Sequence, residues 1–225
     1  MALLNFIYGT ESYECINKGH LILFSGKRGS GKTTLMKDLI NSCLTGDVHG
    51  VWHMNCEWFK VTHIDTEQPP DLIEKFKKDI VNKGKYEVYA LGDLLRPEDK
   101  FSRVIEIINS SEGSCLYVID SLSDLASDPN NFDSATRISS SLQGLAIRKD
   151  ALIAVVAHNN AQDTVLGAVG KMLENKASSS FNISLDDTTG VSRVRNVKTR
   201  FDNIPDFSFT IENKKIKLGV YIPFP

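Results

Sequence analysis

Nowhere in this chain do apolar residues run on for the ~18 that a membrane-spanning helix requires, so no span is expected. The amino terminus, Met1-Ala2-Leu3-Leu4-Asn5-Phe6, lacks the basic start and long apolar stretch of a secretory signal. Neither sign of charge is in excess: 26 basic and 28 acidic residues leave a formal net charge of -2, with no basic arm or tail. Charge alone therefore gives no reason to expect nucleic acid. Cysteine is scarce, and Cys15, Cys43, Cys56 and Cys115 do not have the spacing of a disulfide framework. Cys115 opens an apolar run and Cys43 lies late in an expected helix, which suits buried free thiols and a cytoplasmic protein. His49, His53, Cys56 and His63 fall close together yet match no closed zinc pattern. Repeats, low-complexity tracts and linkers are lacking as well. Residues 1–225 are therefore expected to form one domain, with a hairpin (Val48–Met54 against Trp58–Ile64) inserted at 45–60.

What is present is an alternation of apolar runs and helical spacing. Leu21-Ile22-Leu23-Phe24, Val61-Thr62-His63-Ile64-Asp65, Tyr86-Glu87-Val88-Tyr89-Ala90, Cys115-Leu116-Tyr117-Val118-Ile119 and Leu152-Ile153-Ala154-Val155-Val156-Ala157 read as strands. Between them, helices are expected from Thr33 to Cys43, from Leu72 to Asn82, over 98–110, and around Ile138, Leu142, Leu145 and Ala146. Such alternation gives an α/β fold, a mostly parallel sheet covered on both faces. Beyond Gly170, Phe181–Leu185, Ser192–Thr199, Phe207–Ile211 and Ile216–Tyr221 look like short antiparallel strands appended to it.

The most telling motif is Gly26-Lys27-Arg28-Gly29-Ser30-Gly31-Lys32-Thr33-Thr34, which fits G-x-x-x-x-G-K-[ST] between a strand and a helix. Glycines let the backbone turn so tightly that successive N–H groups face one concavity. The helix amino terminus adds partial positive charge, Lys32 reaches toward outer phosphates, and the Thr33 hydroxyl suits Mg²⁺. A nucleoside triphosphate, ATP by default, is the expected ligand. Asp120, at the tip of an apolar strand, suits the shell of that Mg²⁺. Glu67, two residues past the tip of Val61–Asp65, is placed to polarise an attacking water, with Asp65 the weaker candidate. An acidic turn is the bland alternative at both positions.

Together these residues resemble the RecA-like branch of P-loop ATPases, which includes the DnaB-type hexameric helicases and KaiC-type clock ATPases. The resemblance covers 18–215 and rests on the phosphate loop, Asp65-Thr66-Glu67 and Val118-Ile119-Asp120-Ser121. It also takes in Ala157-His158-Asn159 and Val197-Lys198-Thr199-Arg200. It implies that His158 and Asn159 form a polar sensor at the end of a core strand. It further implies that Lys198 and Arg200 reach into the neighbouring subunit's site, within a hexameric ring or filament. The section 170–209 is similar to small RecA-like ATPases of phages and mobile elements. On a strand, Lys198 and Arg200 share a face, and Arg193 and Arg195 extend them to a basic stripe of four. A solvated edge strand is the alternative reading of that stripe.

The resemblance makes a DNA-translocating helicase or recombination motor the leading expectation, with single-stranded DNA as partner. The two loops that grip polynucleotide in that family read differently here. Residues 122–133 hold Asp124, Asp128 and Asp133, and 160–169 hold Asp163, with no lysine or arginine in either. Since phosphate contacts supply most non-specific affinity, a regulatory or assembly ATPase is the rival. A small-molecule kinase is a third reading, in which Arg193–Arg200 would form a lid.

Overall fold

The structure, a computed structural model, describes residues 3–8, 10–55, 60–213 and 215–219. Its frame is a nine-stranded sheet in the order β12-β11-β10-β9-β3-β8-β7-β5-β6. The six strands β9 (Ser179–Asp186), β3 (Leu21–Gly26), β8 (Leu152–His158), β7 (Leu116–Asp120), β5 (Val61–Asp65) and β6 (Tyr86–Ala90) run parallel. On β9 the antiparallel strands β10 (Val191–Thr199), β11 (Phe207–Glu212) and β12 (Lys215–Leu218) are built in turn. This is the expected mostly parallel sheet with an antiparallel extension. One detail differs: β9, the first of the late strands, joins β3 in parallel.

Period-two alternation along the buried strands sends successive side chains to opposite faces, and each face is covered. Ile22 and Phe24 join the core under α1 (Lys32–Thr45), whereas Leu21 and Leu23 join the core under α3 (Pro97–Ser110), α4 (Phe132–Lys149) and α5 (Gly167–Lys176). Pro70 opens α2 (Pro70–Lys78), and Pro97 opens α3, both at the first turn, where a missing N–H leaves no bond unmade. α2 ends before the expected Asn82, which sits in the left-handed region and starts a 3-10 turn, Lys83–Lys85. α5 was not expected, because two glycines within ten residues weaken its helical pattern.

The inserted hairpin is not what forms. β4 (Trp52–Met54) pairs with β1 (Leu4–Tyr8), which pairs on its other side with β2 (Glu11–Ile16), while Val61–Asp65 stays in the large sheet. Trp58 lies outside the described residues. The reason is aromatic burial. Trp52 packs edge-on against Phe6, Phe24 and Phe181, and its indole N–H donates to the Leu35 carbonyl at 3.2 Å. The small sheet thus roofs α1 and ties the phosphate-loop helix to the amino terminus.

Candidate active site

The loop between β3 and α1 turns on glycines in the left-handed region, Gly29 (φ 78°) and Gly31 (φ 96°). A side chain on Gly31 would also meet the Phe209 ring at 2.9 Å and Ser192 Oγ at 3.1 Å. A Cβ on Gly26 would collide with the Ile183 carbonyl. The antiparallel extension therefore walls the loop, a contact with no local sequence signal.

Thr34 N–H and Leu35 N–H both return to the Gly31 carbonyl, starting α1, and leave Thr33 exposed at the helix tip. Lys27 and Arg28 stand exposed on the loop, while Ser30 is buried with its hydroxyl unpartnered. Lys32 folds back instead of reaching out: Nζ donates to the Gly26 and Lys27 carbonyls, both at 2.7 Å. Burial pushes its ammonium down to about 8, partly offset by the Asp120 and Glu67 carboxylates.

Strand period and register bring the other groups to the same place. Asp65 and Asp120 are direct neighbours across the β5–β7 ladder, and His158 ends β8 beyond Asp120's partner Val156. Burial first, and then the nearby Asp65 and Glu67 carboxylates, push Asp120 up to about 7. Asp65 is raised by burial and restrained by the Glu67 and Gln68 amides that donate to its Oδ1. Glu67 has both oxygens engaged, by Arg28 Nη2 at 2.8 Å and by His158 Nε2 at 3.3 Å. Arg28, Gly29, Lys32, Thr33, Glu67, Asp120 and His158 line one cleft of about 300 Å³ at the carboxyl end of the parallel strands, where ligands of open α/β sheets bind.

Three expected residues do not line the cleft. The Asn159 amide turns from the cleft to Asp163 (3.0 Å) and Asn182 (3.0 Å), tying the loop after β8 to β9. Lys198 Nζ donates to the Asn175 and Glu174 carbonyls at 2.7 and 3.3 Å, capping the carboxyl end of α5. Arg200 lines a separate hollow with Lys18, His20 and Lys176, near the start of β3. Lys198 and Arg200 are thus at the opposite end of the sheet from their own phosphate loop.

By count, Arg195 and Lys198 are three residues apart and would face opposite sides. A bulge between Asn196 and Lys198 takes up the extra residue: Arg195 pairs with Asn182, Lys198 with Ser180, and Arg200 N–H meets the Ser178 carbonyl. All four cations therefore fall on one face. Arg193 pairs there with Asp186 at 3.2 Å.

Sequence reasoning missed two supports. The Thr66 hydroxyl donates to the Ser121 carbonyl and accepts the Ser121 N–H, both at 2.9 Å, joining the two strand-end motifs. Lys100, on α3, donates to the Thr66 carbonyl at 2.6 Å and pairs with Asp124 at 3.4 Å. Neither has a motif, because each joins elements distant in sequence.

No curated protein matches the chain. Among solved structures it is similar to the flagellar accessory protein FlaH from Methanocaldococcus jannaschii, with a TM-score of 0.67 over 92% of each chain at 17% identity. At that identity the likeness speaks for the fold. The family profile described as an AAA domain matches residues 12–163, from β2 through the phosphate loop, Glu67, Asp120 and His158. The chain belongs to this AAA domain family and has the RecA-like P-loop ATPase architecture.

Proposed function

We propose that this protein hydrolyses ATP at the cleft, in an oligomer whose sites are completed by neighbouring subunits, and that its nucleotide state drives a partner or an assembly. The observation carrying the first part is convergence. Lys32 from α1, Asp120 from β7, Glu67 beyond β5 and His158 from β8 meet at one cleft. In this reading the loop amides of 26–34 cradle the phosphates, and Lys32 exchanges its two carbonyl partners for phosphate oxygens. The Thr33 hydroxyl and the Asp120 carboxylate, which accepts no hydrogen bond among the described residues, suit Mg²⁺. That ion, when bound, neutralises charge on the phosphates. Glu67 takes the proton of the attacking water, and His158, already within 3.3 Å of Glu67, relays the state of the site to the loop after β8.

Lys198 and Arg200 lie too far from their own cleft to act there, which favours a role on the neighbour's nucleotide. An arginine supplied in this way is worth roughly 10³–10⁵ in rate. The loops after β7 and β8 favour a regulatory or assembly role. They carry Asp124, Asp128, Asp133 and Asp163, and they are tied together by the Val169 N–H to the Pro129 carbonyl at 3.0 Å. DNA translocation is the second reading. It is favoured by Arg195 and Arg200, exposed cations on one face without an ion pair among the described residues.

Steady-state ATP hydrolysis over a protein concentration series, with and without single-stranded DNA, tests these readings. Turnover per subunit that climbs with concentration and ignores DNA is the expected result. Stimulation by DNA would move the conclusion to the second reading. Activity independent of concentration would remove the shared site. Mixing Arg200→Ala with Glu67→Gln subunits is expected to restore part of the activity that each lacks alone.

A further inference from the structure

Beneath the cleft lies a second set of groups, of which the proposed reaction uses only Asp120. Strand period puts His63 and Asp65 on the α1 face of β5, and register sets Asp65 beside Asp120 of β7. One ligand atom from each of the three lies within 4.8 Å of the other two. His63 is only 2% exposed. Its Nδ1 lies 2.7 Å from the Tyr86 hydroxyl, and its Nε2 is buried with no hydrogen-bond partner. Asp65 uses Oδ1 for two backbone amides, and no hydrogen bond reaches Oδ2 among the described residues. The carboxylate of Asp120 accepts none either.

A buried nitrogen left without a partner, as His63 Nε2 is, costs stability, and the Asp65 and Asp120 carboxylates beside each other repel. Lys32 does not relieve them by hydrogen bonding, since its described bonds go to the Gly26 and Lys27 carbonyls. A cation would satisfy all three groups at once. We propose that His63, Asp65 and Asp120 bind one divalent first-row transition metal ion of the Mn²⁺, Co²⁺ or Zn²⁺ class.

The donor set selects the class. Mg²⁺ takes oxygen ligands and keeps its waters, whereas an imidazole with two carboxylates suits the borderline ions. With Tyr86 accepting the Nδ1–H, Nε2 is the nitrogen left for the metal, and an outer partner of this kind is what orients a ligating histidine. Bonds of ~2.0–2.2 Å would draw the three groups closer together. Asp120 is half-buried and lines the nucleotide cleft, so it provides the route of entry. The site differs from the zinc pattern sought among His49, His53, Cys56 and His63, sharing only His63. It does not depend on the hydrolysis proposed above, and it is expected to fill without nucleotide.

The test is titration of the chelator-treated, tag-free, nucleotide-free chain with Co²⁺. Binding is followed by visible absorption and by the paramagnetically shifted imidazole N–H signal. One Co²⁺ per chain with one shifted N–H is expected. Tyr86→Phe should weaken binding about 10-fold, and His63→Gln should abolish it. Lys32→Ala should lose nucleotide but keep Co²⁺, which separates this site from the ATPase reading. No binding, binding without a shifted imidazole signal, or binding only with nucleotide would each overturn the proposal. If His63→Gln fails to fold by circular dichroism, the wild-type imidazole signal and the Tyr86→Phe affinity decide the matter.

Discussion

Arg28 and Glu67 show how much one exposed contact can matter without holding the fold. The Arg28 side chain is 82% exposed, and ion pairs of that kind contribute about 0.2–1 kcal/mol. Arg28→Ala should therefore leave the melting temperature nearly unchanged. In the proposed mechanism the pair restrains Glu67, so its loss is expected to raise kcat about 2–5-fold. A fall in kcat would assign Arg28 to the phosphates instead. Asp38, on α1, makes a separate point. Burial pushes its carboxyl up to about 6, against relief from Lys37 and Lys215. An unfolded aspartate releases its proton near pH ~4, so between about 4 and 6 the folded chain binds the extra proton. Stability tied to this group is present at about pH 4 and is lost as pH rises through about 6. Asp38→Asn should match the wild type in urea midpoint near pH 4 and exceed it at pH 7. Equal midpoints at both values would mean that the folded carboxyl titrates normally.

At the scale of elements, β10 separates what counting residues reveals from what pairing reveals. Counted along the chain, deleting Val197 ought to flip Lys198 and Arg200 to the other face. In the ladder Val197 is the extra residue, so its deletion leaves Lys198 opposite Ser180 and Arg200 opposite Ser178. The variant is expected to fold and to complement Glu67→Gln subunits as the wild type does. A folded variant that has lost complementation would show that the bend of the bulge, and not only the facing, matters. The same distinction explains which elements were legible. β3, β7 and β8 declare themselves by unbroken apolar runs, since both faces are buried. β4 does not, because three residues carry no period and its partner β1 lies far upstream. The Lys198 contact with α5 was illegible for a like reason: a helix carboxyl end accepts a lysine from any neighbour that folding supplies.

For the whole molecule, the small sheet β2-β1-β4 is more than an appendage. Trp52 is fully buried where Phe6, Phe24 and Phe181 meet, joining the small sheet, the phosphate-loop strand and β9. Trp52→Ala should cost about 3–5 kcal/mol, read as a lower denaturant midpoint with one unfolding transition. Two separate transitions would instead show that the small sheet unfolds independently. The sequence by itself determined the phosphate loop, since the backbone of its glycines and the side chains of Lys32 and Thr33 act together within nine consecutive residues. It also determined the parallel core, because buried strands must be apolar on both faces. Only the tertiary structure decided that Arg28 holds Glu67, that Asp65 lies beside Asp120 with His63 below, and that Lys198 and Arg200 stand away from their own cleft. Those relations depend on strand order and register, which arise from long-range pairing and leave no periodic trace in the residues that take part.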